Sequence, residues 1–161
     1  MTNIAKNLQI VRDQIHQASQ TAQRNADAVC LLAVSKTRHA DELRSAYQTG
    51  QRDFGENYLQ EGLDKIEQLK DLAICWHFIG PIQSNKTRPI AEHFHWVHSV
   101  DRFKIAQRLS DQRPAHLPPL NICLQINISA EASKSGLLPE ELPAVAAQVQ
   151  ALPNIRLRGL M

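Results

Sequence analysis

The stretch Val29-Cys30-Leu31-Leu32-Ala33-Val34-Ser35-Lys36 decides how this chain is read. Its apolar run is followed at once by the polar Thr37-Arg38-His39. A short apolar run without alternation reads as a strand buried on both faces, as in a parallel sheet that helices cover. The reading predicts that strand over residues 29–35. In α/β proteins chemistry gathers at the carboxyl ends of such strands, which is where Lys36 stands. Burial can keep an amine neutral there, and a neutral amine can add to an aldehyde to form a Schiff base. The same position also suits an inert lysine that ends the strand and points into water.

Upstream, Ile4, Leu8, Val11, Ile15, Ala18 and Ala22 step by three or four through residues 4–24. That is one apolar stripe of an amphipathic helix, with Thr2 or Asn3 as its cap. Downstream, Asp41 opens a helix through Leu43, Ala46 and Tyr47, which Gly50 stops. Residues 53–57 read as the second strand and Leu59, Leu63, Ile66 and Leu69 as the next helix. The third strand, 74–80, leads into a polar loop, Gln83-Ser84-Asn85-Lys86. Residues 96–100 form the fourth strand, and Phe103, Ile105, Ala106 and Leu109 lie on a helix. After a proline-rich connector, 113–119, comes the fifth strand, 122–128. A helix from Pro139 to Ala151 precedes a sixth strand that starts at Ile155 and runs into Met161.

This βα repeat fits either an open doubly wound sheet or a (β/α)8 barrel. A barrel takes eight units over roughly 250 residues. The 161 residues here supply about six. Either the fold is open or the chain is cut short.

Composition narrows the function. The length suits one domain with a real core, and the net charge is only +2. Basic residues are scattered among acidic ones, which leaves no electrostatic footprint for nucleic acid or an anionic membrane. No apolar window is long enough to span a bilayer. Cys30, Cys75 and Cys123 are far apart, each in an expected strand. They read as structural thiols of a reducing, cytoplasmic setting rather than as disulfides or a zinc site.

Few motifs carry chemistry by themselves. The six glycines are dispersed, so no phosphate-cradling loop is visible. In a strand, His93 and His95 would share a face with His98 opposite, and no thiol or carboxylate joins them at ligand spacing. No metal is expected there. Asn57 could meet Lys36 at the strand-end rim, or cap the helix that begins at Tyr58. His77, between Trp76 and Phe78, reads first as a core histidine. The polar loop Ser133-Lys134-Ser135-Gly136 follows the fifth strand and faces the same rim as Lys36.

Five segments together resemble one family. They are Leu32-Ala33-Val34-Ser35-Lys36-Thr37, Phe54-Gly55-Glu56-Asn57-Tyr58, Trp76-His77-Phe78-Ile79-Gly80 with Gln83-Ser84-Asn85-Lys86, Ser133-Lys134-Ser135-Gly136, and Arg158-Gly159-Leu160-Met161. In this order and spacing they look like the pyridoxal phosphate homeostasis protein family, also called the proline synthetase co-transcribed family. The resemblance implies a TIM-type (β/α)8 barrel of the alanine racemase N-terminal kind. It implies pyridoxal 5′-phosphate held as a Schiff base on Lys36, with Asn57 approaching from the second strand and His77 lining the barrel mouth. It further implies a non-catalytic cytoplasmic carrier for vitamin B6 homeostasis, monomeric when complete, whose partners include apo-enzymes that use the cofactor. Family members continue past the Gly-Leu-Met segment, so residues 1–161 are expected to form one incomplete barrel domain. The last two strands and the phosphate-gripping loops would be missing.

Each charge-assisted hydrogen bond to phosphate contributes about 1.5–3 kcal/mol, so losing several would weaken binding by powers of ten. Two enzymatic alternatives stay open. A racemase needs an acid–base group on each cofactor face and normally a second, β-rich domain. A lysine-imine aldolase needs a general acid, for which Glu56 is the candidate.

Overall fold

The computed structural model describes residues 3–131 and 133–161. Six strands are present: β1 (Ala33–Val34), β2 (Asp53–Glu56), β3 (Cys75–Phe78), β4 (Trp96–Val100), β5 (Leu120–Leu124) and β6 (Ile155–Leu160). The helices are α1 (Asn3–Thr21), α2 (Ala40–Gln48), α3 (Leu59–Gln68), α4 (Thr87–His93), α5 (Phe103–Gln112) and α6 (Leu142–Gln150). Thr2, one of the two expected caps of the first helix, lies outside the described residues, and Asn3 is already helical. Among the described residues no helix is long and apolar enough to cross a membrane.

Every strand pair is parallel, and the spatial order is the chain order, β1 to β6. A doubly wound sheet reverses its strand order at a switch point. Here each new strand is added at the same advancing edge. Right-handed crossovers in one direction put every helix on one face, which makes the sheet a barrel wall rather than an open doubly wound sheet. Six strands form this wall, with β1 and β6 at its edges.

Strand alternation sorts the two faces. Phe54, Phe78, Val97 and Ile122 point into the helix layer and join Leu43, Leu69, Ile90, Ile105, Leu109 and Val149 in one buried core. Phe78 meets Phe94 edge-on at 5.3 Å between ring centroids. Each such side chain stabilises the fold by about 1.5–3 kcal/mol through burial. The opposite face carries its own register: Val34 pairs with Gly55, Gly55 with His77, and His77 with Trp96.

Three sequence expectations are corrected. The strand expected over 29–35, buried on both faces, is in the ladder only at Ala33–Val34. It is an edge strand with a partner on one side, so Val34 stays 51% exposed and Val29 and Cys30 lie at the surface. Cys30 is therefore not in a strand. Helix α4 was not foreseen: it follows the polar Ser84–Lys86 turn, has Pro89 in its first turn, and buries only Thr87, Ile90 and Ala91. That is too few apolar positions to show a period. Finally, β5 stops at Leu124, and beyond it only a single bridge, Ile126 to Leu137, continues the pairing.

Candidate functional site

The carboxyl ends of the strands build one rim. There the turn holding Lys36 is fixed from both sides. Ser35, buried, donates its N–H to Gly55 O at 2.9 Å and its Oγ to Glu56 Oε1 at 2.5 Å. Thr37 adopts φ 62, a left-handed conformation that a β-branched residue rarely takes. Its N–H donates to Glu61 Oε1 at 2.5 Å.

One buried cation closes this network. Lys65 Nζ donates to Ser35 O at 2.6 Å, to Glu56 Oε1 at 2.8 Å and to Glu61 Oε1 at 2.6 Å. Glu56 is fully buried and Lys65 nearly so. The hydrogen bond from Lys65, with the Thr37 N–H adding to it, holds the Glu61 carboxyl below the usual carboxylate range. An ion pair this deep holds only with good geometry and further hydrogen bonds, and here three acceptors converge on one amine. Lys36 itself is exposed, and its amine has no hydrogen bond or ion pair among the described residues. Burial therefore does not dehydrate the Lys36 amine in this chain. What the fold supplies is a rigid turn beneath it.

Asn57 follows β2 on the same rim. The helix-cap reading does not hold: the residue preceding α3 is Tyr58, and no side-chain cap bond is made there. Instead Asn57 Oδ1 is buried without a hydrogen-bond partner. The end of β3 presses against this residue, since Ile79 N–H donates to Glu56 O at 2.9 Å. A Cβ on Gly80 would stand 2.1 Å from Asn57 O, so only glycine fits that approach.

His77 lies lower on the inner face and is buried. Its ring stacks on Trp96 at 5.5 Å with a 12° interplanar angle. Its Nδ1 is 2.8 Å from His98 Nε2, and its Nε2 is 3.0 Å from Asp53 Oδ1. Burial pulls the His77 pKa down against the opposing pull of Asp53. Nε2 is thus engaged at the amino-terminal ends of β2 and β3 and Nδ1 on β4, so neither ring nitrogen is free to face Lys36. The other histidines go to separate places. His93 sits exposed on α4 against Pro89 O, while His95 Nδ1 accepts the Trp76 N–H at 3.0 Å.

A cleft of about 460 Å³ opens on the rim beyond β3, lined by Ile79, Ser99, Asn127, Ser129, Lys134 and Ser135. The Ser133–Gly136 loop therefore reaches this rim, tied down by Asn127 Nδ2 donating to Lys134 O at 3.2 Å. Lys65 is the functional residue that sequence reading missed. Its signal was faint but present: it stands three residues after Gly62 and four before Leu69, on the buried stripe of α3.

Comparison with known proteins fits this geometry. Residues 4–161 match the family model described as alanine racemase, N-terminal domain. The chain is 66% identical over 161 residues to the pyridoxal phosphate homeostasis protein of Pseudomonas aeruginosa, covering 100% of this chain and 70% of that protein. The structure of PipY of Synechococcus elongatus with PLP bound superposes with a TM-score of 0.81 at 38% identity, covering 99% of this chain and 69% of that one. Alanine racemase from Corynebacterium glutamicum superposes with a TM-score of 0.69 at 17% identity, covering 98% of this chain and 42% of that one, a likeness of fold alone.

Proposed function

Since this chain belongs to the alanine racemase N-terminal domain family and, within it, to the pyridoxal phosphate homeostasis proteins, we propose that it binds pyridoxal 5′-phosphate as a carrier in vitamin B6 homeostasis. When bound, the cofactor supplies an aldehyde that a primary amine can capture reversibly. Lys36 presents that amine. The observation carrying this reading is the contrast at one turn: Ser35 and Thr37 are pinned by the Lys65 network while the amine between them has no partner. Asn57 supports it independently, because a buried polar atom without a partner calls for a ligand or water.

The residues present therefore fit the cofactor. Lys36 would hold its aldehyde end, and Asn57 Oδ1 would accept a hydrogen bond from a donor elsewhere on the cofactor, such as its ring hydroxyl. Lys134 and Ser135 line the cleft at the far side of the rim, and His77 belongs to the inner wall beneath.

A carrier, rather than an enzyme, fits the chemistry around Lys36. Glu56, the aldolase reading's general acid, is turned to the helix side and bound to Lys65. A racemase would need a second proton-transfer group on the opposite face, and none of the side chains fixing the Lys36 turn faces it. The reading includes a cytoplasmic monomer that passes cofactor to apo-enzymes and binds neither nucleic acid nor membrane. Its support is the small net charge and the three free cysteines. Titration with pyridoxal phosphate, followed by absorbance, tests the reading. A spectral shift that Lys36→Ala abolishes is expected, and an identical shift in Lys36→Ala would contradict it.

A further inference from the structure

At the other end of the sheet, away from Lys36, three donor residues converge and a fourth stands nearby. Asp53 and Cys75 are the first residues of β2 and β3, and they pair in register. His77 stands two residues further along β3. Asp53, Cys75 and His77 bring a carboxylate oxygen, a thiol sulfur and a ring nitrogen all within 4.8 Å of one another. Cys75 Sγ is 3.4 Å from His77 Nε2, and that nitrogen is 3.0 Å from Asp53 Oδ1. Cys30, on the edge segment before β1, lines the same cleft as Asp53.

Two of these separations are close to the edges of a coordination polyhedron. With metal–sulfur bonds of ~2.3 Å and metal–nitrogen or metal–oxygen bonds of ~2.0–2.2 Å, a tetrahedral site has ligand–ligand edges of roughly 3.4–3.6 Å. The sulfur–nitrogen edge already has that length, and the nitrogen–oxygen edge needs to widen by only a few tenths of an ångström. The donor types also agree, since thiolate, imidazole and carboxylate together favour zinc over calcium or magnesium.

The surroundings support the same use. His77 Nδ1 is held by His98 and its ring is stacked on Trp96, so Nε2 is aimed at the cluster by neighbours that are not ligands. Gln51 joins the two segments that carry the outer donors: its Nε2 donates to Leu31 O at 2.7 Å and to Asp53 O at 2.8 Å. A cleft of about 480 Å³, lined by Cys30, Leu31, Gln51 and Asp53, provides an entry path.

We propose that Cys75, His77 and Asp53, with Cys30 turning its thiol inward as the fourth ligand, form a zinc-binding site separate from the cofactor rim. Coordination replaces the two thiol protons, which leave to solvent, so two S–H bonds break and two metal–sulfur bonds form with no change in oxidation state. Bound zinc would tie the exposed edge segment at Cys30 to β2 and β3.

The test uses the purified chain, reduced and stripped with a chelator. Zinc is titrated against a chromophoric competitor, and cobalt(II) serves as a spectroscopic probe. One equivalent of zinc is expected to bind, with cobalt giving tetrahedral ligand-field bands and thiolate charge transfer. Asp53→Asn and Cys75→Ser should weaken binding at least tenfold, while Cys123→Ser leaves it unchanged. Should Cys75→Ser fail to fold, Cys30→Ser at the surface carries the test, with the same tenfold loss expected. No zinc uptake, a cobalt spectrum without thiolate bands, or wild-type affinity retained in Cys30→Ser and Asp53→Asn would overturn the proposal.

Discussion

Lys65 Nζ lies 2.6 Å from the carbonyl oxygen of Ser35, the residue just before Lys36. A buried ammonium on α3 thus holds the backbone from which the candidate cofactor amine projects. The same ammonium reaches Glu61, whose carboxylate takes the Thr37 N–H on the other side of Lys36. Helix packing is converted in this way into the aim of one exposed side chain.

Replacing Lys65 by methionine should destabilise the chain by about 3–5 kcal/mol, because Glu56 would be left charged, buried and alone. Urea denaturation measures the loss. The double variant Lys65→Met with Glu56→Leu should recover most of it, and an equally unstable double variant would count against the uncompensated charge as the cause.

Asn57→Ala separates stability from binding. Its Oδ1 has no partner, so removal should leave the thermal midpoint unchanged or slightly raised. Cofactor affinity should fall about 2–10-fold, the equivalent of one hydrogen bond of roughly 0.5–1.5 kcal/mol. A large drop in melting temperature with unaltered affinity would reverse the assignment.

Gly80→Ala should lower stability by about 1–3 kcal/mol, since its Cβ would meet Asn57 backbone atoms from 2.1 Å. All three clashing atoms are main chain, so the rim must shift, and pyridoxal phosphate capture should weaken together with the melting temperature. Wild-type values for both would show that the contact is looser than described.

Acid should weaken the fold through His95. Although His95 keeps much of its surface exposed, desolvation of its ring nitrogen, with the charge of Arg113 next, pulls its pKa below the ordinary histidine value, and its Nδ1 must stay unprotonated to accept the Trp76 N–H. The unfolded chain therefore binds the proton more readily, near pH ~6.5. The stability contributed by neutral His95 is complete above that pH and is lost as pH falls toward the lowered folded value. Urea midpoints measured from pH 7 to pH 5 should decline, and His95→Asn, which cannot titrate, should make the decline shallower. An unchanged slope would exclude His95 as a source.

Much of this architecture was legible in the sequence because buried parallel strands and amphipathic helices leave strong patterns. Residues 53–57, 74–80 and 96–100 announced β2, β3 and β4, and the stripe Leu59, Leu63, Ile66 and Leu69 announced α3. Helix α4 was hidden because it buries only three side chains, one of them a threonine. The length of β1 was misread because an apolar run looks the same whether or not a second neighbour covers it. At the candidate site, Lys36 and Asn57 were singled out from strand-end position and resemblance. The Lys65 network and the meeting of Asp53, Cys75 and His77 depend on tertiary approach, which no local period encodes.

The most direct measurement is borohydride reduction of the chain with a sub-stoichiometric amount of pyridoxal phosphate, followed by peptide mass mapping. Seven lysines compete for the label. The pinned turn and partnerless amine predict a pyridoxyl group on the peptide containing Lys36, in clear excess over exposed Lys70 and Lys104. Label spread over those surface lysines, with Lys36 unmodified, would contradict the account.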